Sequence, residues 1–378
     1  MNHDAVPRFS NEEHMRRRSI LEAATRLHEV DAVLVYGRDR SGSAVQWLCE
    51  WPVTREAALI VSPDEVDELL VQFYNHLPQA RRMAAPVDVR WGGVDTVDAV
   101  IETLDRRNSR RVGVIGPLGW QYYRRLSDRF DVVGMDADYR SMRLVKSPEE
   151  LEVMKHAARL SDSAIEAIGA AAAVGATDAE LGAACEAAYL STGATNHIHY
   201  FAITSMTAPD RCVPSQWPTG RRVEQGSVIT CEISASWRGY AGQVLRTMAV
   251  GSEPTDQYRR LHEVAEEAYH RILDVLRPGA TPQQVVDASS VIEEAGFTIY
   301  DDLVHGYGGG YWPPVLGTRS RTHGALPDLV FEEGMTVVVQ PNVITPDEAA
   351  GVQTGGLVAI SSDGVEELQK ASKGLWVV

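Results

Sequence analysis

V-I-T-C-E-I-S-A-S-W-R-G-Y-A-G-Q-V-L-R-T, residues Val228 to Thr247, reads as two β-strands joined by a polar turn. Val, Ile, Thr and Tyr dominate Val228–Ser234 and Tyr240–Val250, and Ser-Trp-Arg-Gly interrupts them, which is a hairpin signal. Two polar groups sit inside this otherwise apolar ribbon, Glu232 and Gln243. A carboxylate in the middle of an apolar strand is costly to bury without a partner. Flanked by Cys231 and Ile233, Glu232 is expected to be desolvated, which moves a glutamate from about 4.3 toward neutrality. A carboxyl tuned in this way passes a proton to a leaving nitrogen or activates water. The competing reading is a structural carboxylate paired with Arg238 or Arg246, since ion-pair networks also perturb acidity.

Outward from the hairpin, the chain divides. Strand-like runs at Asp31–Tyr36, Glu56–Val61, Leu69–Phe73, Val87–Trp91, Arg111–Ile115 and Phe130–Met135 alternate with helical runs, among them Asn11–Glu29, Val94–Leu104 and Leu118–Phe130. That alternation predicts an α/β domain with a largely buried sheet. Lys146-Ser147-Pro148-Glu149-Glu150 then opens a new helix. Ser147 is an N-cap, Pro148 fits the first helical position, and the glutamates suit the positive end of the dipole. The boundary falls near residue 143, giving domains 1–143 and 144–378. Beyond it, helices are expected to about Ala173, over Asp178–Leu190, over Thr255–Leu276 and over Pro282–Ala295. Strands are expected at Thr336–Val343 and Gly356–Ile360.

Composition narrows the classes. At 378 residues the chain exceeds one ordinary core. A net charge of −16 argues against nucleic acid as a partner, because phosphate binding needs a basic face. Cys49, Cys185, Cys212 and Cys231 show no C-x-x-C spacing and read as small buried hydrophobes of a reducing compartment. Met1–Ser10 lacks the apolar core of a secretory signal, and Ala167–Ala176 is far short of a membrane span. A cytoplasmic protein with no membrane partner is the expectation.

Several strings together resemble the pita-bread superfamily of creatinases, prolidases and methionine aminopeptidases. They are R-L-V-K-S-P-E-E-L at the boundary, P-S-Q-W-P-T-G-R-R-V-E-Q-G before the hairpin and R-G-Y-A-G-Q-V-L-R-T within it. L-R-P-G-A-T-P-Q-Q-V, V-H-G-Y-G-G-G-Y-W-P-P, E-E-G-M-T-V-V-V-Q-P and S-S-D-G-V-E-E-L follow in order. The resemblance implies an α+β fold: an N-terminal creatinase-like α/β domain, then a C-terminal pita-bread domain whose curved antiparallel sheet is flanked by helices. It also implies a homodimer. The metal-binding branch of that superfamily uses two Asp, one His and two Glu. Position by position, the resemblance puts Glu232, Gln243, His305, Gln340 and Gly355 there. One carboxylate, one imidazole and two amides supply too little charge for two divalent ions, so neither metal nor cofactor is expected.

The residues then take roles. Glu232 is the expected acid/base and His305, in the glycine-rich V-H-G-Y-G-G-G-Y read as a loop, its proton-handling partner. Gln243 and Gln340 would orient substrate or water by hydrogen bonds, or simply satisfy each other. His197, His199 and Tyr200, with Tyr311 and Trp312, would line the pocket of a small-molecule substrate. Residues and resemblance together imply a metal-independent hydrolase cleaving an amide or amidine C–N bond, other than an ordinary peptide bond, in a small polar molecule. Three alternatives stand beside it: a non-hydrolytic lyase, cyclase or isomerase of a biosynthetic pathway; a metallo-aminopeptidase or prolidase with an atypical site; and a pseudoenzyme serving as a binding module.

Overall fold

The structure, a computed structural model, describes residues 8–84 and 86–378. The signal-sequence reading of residues 1–7 therefore lies outside the described residues. Two compact units emerge, Arg8–Arg143 and Leu144–Val378.

The first unit is α/β. Strands β1 (Ala32–Arg38), β2 (Glu56–Val61), β3 (Glu68–Val71), β4 (Asp88–Trp91), β5 (Arg111–Ile115) and β6 (Asp131–Gly134) form one sheet in the order β4-β3-β2-β1-β5-β6. The sheet is mixed: β2 runs antiparallel to both β1 and β3, and the other pairs are parallel. The helices are α1 (Asn11–Leu27), α2 (Ser43–Cys49), α3 (Leu77–Met83), α4 (Thr96–Arg106), α5 (Trp120–Ser127) and α6 (Asp136–Met142). Val97, Val100 and Leu104 of α4 pack on Leu34, Ile60 and Leu70 of the sheet.

In the second unit, α7 (Pro148–Ala171) starts where the sequence places it. The Ser147 hydroxyl accepts from the Glu150 amide at 3.1 Å, and the Glu150 carboxylate accepts from the Ser147 amide at 2.9 Å, a closed capping box. Thr177 and Glu180 repeat the device ahead of α8 (Asp178–Leu190). Strands β7 (Thr195–Ser205), β8 (Ser227–Trp237) and β9 (Tyr240–Ala249) follow, then α9 (Asp256–Val275). The expected helix over Pro282–Ala295 is two pieces, α10 (Pro282–Ala288) and α11 (Val291–Glu294), broken at Ser289-Ser290, where the Ser289 hydroxyl donates to the Val286 carbonyl. Next come β10 (Thr298–Ile299), β11 (Val304–Tyr307) and β12 (Tyr311–Leu316). The expected strand Thr336–Val343 is also divided, into β13 (Thr336–Val339) and β14 (Val343–Ile344), because Pro341 has no amide hydrogen to continue the ladder. The chain closes with β15 (Gly355–Ser361), β16 (Gly364–Glu367) and β17 (Trp376–Val377).

The hairpin is longer and tighter than the sequence indicates. Pairing runs unbroken from Val228↔Ala249 to Trp237↔Tyr240. The turn is only Arg238-Gly239, with φ of 49° and 81°, the double left-handed turn that matches strand twist. The curved sheet has the order β12-β11-β13-β15-β9-β8-β7 and is antiparallel along that path. Ile229, Cys231, Ile233, Val244 and Met248 pack under Ile165, Leu181, Cys185 and Tyr189 of α7 and α8. Gly242 is needed there, since a Cβ would lie 2.3 Å from the Ala158 backbone of α7. Val304, Val337, Val339 and Val358 pack under Leu261, Ile272 and Val285 of α9 and α10.

Register then fixes which side chains share the uncovered face. Val339 and Val244 both pair with Gly356, so the two helix layers flank the same face of the sheet. On the other face, Gly355 pairs with Leu245 and Leu245 with Glu232. His305 pairs with Val338 and Val338 with Leu357, two residues beyond Gly355 in β15. Strand side chains alternate with a period of two. Glu232 and His305, distant in sequence, are therefore on one face. No helix of the described residues is long and apolar enough to cross a membrane, and all four cysteines are free and buried.

Candidate active site

Four side chains from two strands and two loops join in one hydrogen-bonded row. Gln243 Nε2 donates to Glu232 Oε1 at 2.6 Å and to Gln340 Oε1 at 3.2 Å. Gln340 Nε2 in turn donates to Asp302 Oδ1 at 2.9 Å. The other Asp302 oxygen accepts from the Tyr311 hydroxyl at 2.8 Å, and the Asp302 amide donates to Asp301 Oδ1 at 2.9 Å. Gln243 and Gln340 are buried, as is Asp302. The expectation that the two amides satisfy each other thus holds for one bond, while their remaining donors reach the two carboxylates.

This row places an unpaired acid at each end. Burial, then the charges of Asp301 and Asp302, push the Glu232 carboxyl up to about 8. Burial and the neighbouring Asp302 push Asp301 up to about 7. Among the described residues no Lys or Arg forms an ion pair with either. The structural reading of Glu232 through Arg246 fails for a visible reason. That guanidinium donates to the backbone carbonyls of Leu245, Gly355, Ala371 and Ser372, on the helix-covered face.

His305 lies in strand β11 and not in a loop, so that reading is corrected: Val304–Tyr307 pairs with β13 on one side and β12 on the other. The glycines begin only at Gly308. The imidazole is buried and stacked on Tyr311, with ring centroids 4.2 Å apart. Its Nδ1 faces the Gly306 carbonyl at 3.2 Å, which assigns the hydrogen to Nδ1 and leaves Nε2 as an acceptor. Burial lowers it to about 4, so the ring is neutral at pH 7 and serves as an acceptor and a wall.

The remaining expected residues separate. Tyr200 pairs with Glu232 and shares its face. His197 is the extra residue of a bulge between Asn196 and Ile198, which turns its ring toward Tyr307 at 6.2 Å. His199 is corrected out of the site. It pairs with Ile233 on the opposite face, and its Nδ1 contacts Glu186 of α8 at 2.9 Å. Tyr311 joins the site through Asp302 and His305. Trp312 does not; its indole nitrogen donates to the Gly308 carbonyl at 2.8 Å, packing it under the glycine turn. Sequence reasoning missed Asp301 and Asp302. The signal was present as two adjacent acids immediately before an apolar Leu-Val, a costly place for charge.

The five positions that would carry a pair of divalent ions do not fit them. Glu232 and His305 are the sole ionisable side chains among them. A Cβ at Gly355, whose φ is +128°, would lie 2.0 Å from the Val339 carbonyl oxygen, so the backbone itself excludes a ligand side chain there. Among the described residues no group of three or more His, Cys, Asp or Glu is placed to hold a metal ion.

Comparison with known proteins places the chain. The model of metallopeptidase family M24 matches residues 152–362. An Xaa-Pro dipeptidase of Pyrococcus furiosus is 24% identical over 288 residues, covering 74% of this chain and 78% of that protein. An Xaa-Pro dipeptidase of Lactobacillus delbrueckii subsp. lactis is 31% identical over 166 residues, covering 44% of each chain. Among solved structures, an Xaa-Pro dipeptidase from Bacillus anthracis superposes with a TM-score of 0.83 at 22% identity, over 97% of this chain and 100% of that one. These relatives overturn the expectation of a metal-independent hydrolase of bonds other than peptide bonds, and they favour the metallo-aminopeptidase or prolidase alternative. With its curved sheet, its flanking helices and more than half its length matched, the chain belongs to metallopeptidase family M24, a family of hydrolases.

Proposed function

We propose that this protein is a peptidase of the prolidase type, hydrolysing the amide bond of a short peptide, with an Xaa-Pro dipeptide as the first substrate to try. The observation that carries the reading is the hydrogen-bonded row that links Glu232, through Gln243 and Gln340, to Asp302 and its neighbour Asp301. At neutral pH Glu232, at about 8, largely keeps its proton, while Asp301, at about 7, is about half ionised and supplies the base form. Asp301 takes a proton from water as the water oxygen bonds to the amide carbon. Glu232 gives its proton to the leaving nitrogen as the C–N bond breaks. Gln243 holds the Glu232 carboxyl in place through Oε1, leaving Oε2 for the transferred proton. His305, Tyr200 and Tyr311 wall the site beside these groups. The residues present do not fit a pair of divalent ions.

The test is a panel of Xaa-Pro and other dipeptides, read by free amino acid released, run with an added divalent ion and with a chelator. Release by the wild type, lost in Glu232→Gln with an unchanged circular dichroism spectrum, is expected. No release from any dipeptide under either condition sinks the proposal.

A further inference from the structure

The ladder between β9 and β15 is very short, and side chains end it at both ends. It consists of Gly355↔Leu245 and Gly356↔Val244. On one side, the Thr247 hydroxyl donates to the Gln353 carbonyl at 2.9 Å and accepts from the Gln353 amide at 2.8 Å. On the other side the next register step would bring Leu357 opposite Gln243, the residue at the centre of the site. That direct bond is absent. The Leu357 amide donates instead to Gln369 Oε1 at 2.8 Å, and Gln369 Nε2 donates to the Gln243 carbonyl at 2.8 Å. One side-chain amide has been inserted in series into a backbone hydrogen bond.

The insertion coincides with a branch in the sheet. From Val358 onward β15 pairs with β16, not β9, Val358 facing Glu367 and Ile360 facing Val365. Gln369 stands in the crotch of that branch. Gly356 has no side chain because a Cβ there would lie 2.7 Å from Gln369 Oε1. The segment carrying Gln369 is itself pinned on each side. The Leu368 amide donates to the Leu357 carbonyl at 3.0 Å, and the Lys370 amide donates to Asp162 Oδ2 at 2.6 Å. Arg246 then holds the carbonyls of Ala371 and Ser372.

We infer that Gln369 is a positioning residue for the active site: its amide, wedged between β15 and β9, fixes the Gln243 backbone and thereby the bond from Gln243 to Glu232. Without the wedge the Gln243 carbonyl and the Leu357 amide lose their partners, and β9 is free to shift toward or away from β15. Gln243 reaches Glu232 and Gln340 with the two hydrogens of one nitrogen, so a small displacement of its backbone breaks at least one of those bonds. The inference rests on the proposed reaction only where turnover is the readout.

The test therefore has two arms, with Gln369→Ala, Gln369→Glu and Gln369→Asn. Gln369→Glu keeps an acceptor for Leu357 and removes the donor to Gln243. Gln369→Asn keeps both groups one methylene short. In the first arm, turnover of the cleaved dipeptide should fall about tenfold or more in the Ala and Glu variants. KM should stay within about threefold and the circular dichroism spectrum should be unchanged. Gln369→Asn should fall between them and the wild type. The second arm needs no substrate. The side-chain amide signals of Gln243, identified by their loss in Gln243→Leu, are followed by 1H–15N NMR. They should move in Gln369→Ala and Gln369→Glu. Unmoved Gln243 signals, or a Gln369→Glu variant with wild-type turnover, overturn the inference. A wild type inactive on every dipeptide sinks the proposed reaction and leaves the second arm to decide.

Discussion

Replacing Glu232 by Gln should make the protein more stable and less active at once, and the stability gain should depend on pH in a fixed direction. An acid raised in the folded state binds its proton more tightly folded than unfolded. Between the two values, stability therefore falls as pH rises. Below pH 4.5 both states are protonated and Glu232 contributes no penalty. Above pH 8 the folded protein bears the full cost of a desolvated carboxylate. A rise from 4.5 to about 8 corresponds to a ceiling of about 5 kcal/mol at 1.36 kcal/mol per pH unit. At pH 5 the same arithmetic leaves about 1 kcal/mol. The difference between pH 9 and pH 5 is thus about 4 kcal/mol at most, and relaxation around the charge reduces it, so about 2 kcal/mol is the expected value.

The assay is urea denaturation of wild type and Glu232→Gln at pH 5 and pH 9, comparing midpoints at constant m. A gain that is equal at the two pH values would refute the reasoning, because it would mean that Glu232 titrates as an exposed acid. A variant less stable at pH 9 than the wild type would refute it more directly, by showing a hidden cation bound to the carboxylate. Active sites commonly trade stability for function in this way.

Other consequences follow from single residues. Gly355→Ala should cost about 2 kcal/mol or more, because its φ of +128° and a Cβ 2.0 Å from the Val339 carbonyl both oppose any side chain; thermal unfolding reads this, and a neutral substitution would show that the strand relaxes freely. Asp301→Asn should remove the rise in activity through pH 7 and move the fall assigned to Glu232 below pH 8, since the Asp301 charge is one cause of the Glu232 shift; an unchanged pH–rate profile dismisses Asp301 as the base. Arg246→Ala should destabilise by about 3 kcal/mol, since four bonds to backbone carbonyls vanish from a buried position; a midpoint in urea within error of wild type would contradict the fastening role.

What the sequence disclosed followed from local chemistry. The hairpin was legible because Val, Ile and Thr crowd the first arm and recur at Val244 and Thr247 in the second, with Arg238-Gly239 between them taking two positive φ values. The start of α7 was legible because Ser-Pro-Glu-Glu carries cap, first-turn proline and reciprocal bond in four letters. Strand β7 was hidden because its outer half is exposed and polar at Thr195–His197 and only half-buried from Ile198 to Tyr200, so alternation is lost where it leaves the core. Strand β11 was read as loop because Gly306 and the run Gly308–Gly310 lower the apparent strand propensity. Its register comes from β13, which no local pattern encodes. Asp301 and Asp302 were easily passed over for a related reason. Adjacent acids usually mark a solvated turn, and only the fold shows that Tyr311 and Gln340 close over Asp302. His199 failed by parity: one bulge at His197 sets which of the neighbouring side chains faces the site.

The two glutamines are more than diluted carboxylates, because the direction of each amide is dictated by the acids at the ends of the row. Asp302 Oδ1 and Glu232 Oε1 both accept hydrogen bonds, so the amide nearest each must present nitrogen to it. Two amides in series can meet that demand only if one of them uses both hydrogens of its nitrogen. Gln243 does so, donating to Glu232 and to Gln340. The consequence is that its own carbonyl oxygen is left buried without a donor, at a cost of about 1–3 kcal/mol. A substitution of one glutamine by Glu would reverse that logic, since a carboxylate donates nothing and would face two others. The row is therefore consistent as a set and not position by position. Changing Gln243 or Gln340 singly should disturb Glu232 even where the new side chain fits. The unfilled oxygen belongs to the same buried amide whose nitrogen holds Glu232 Oε1.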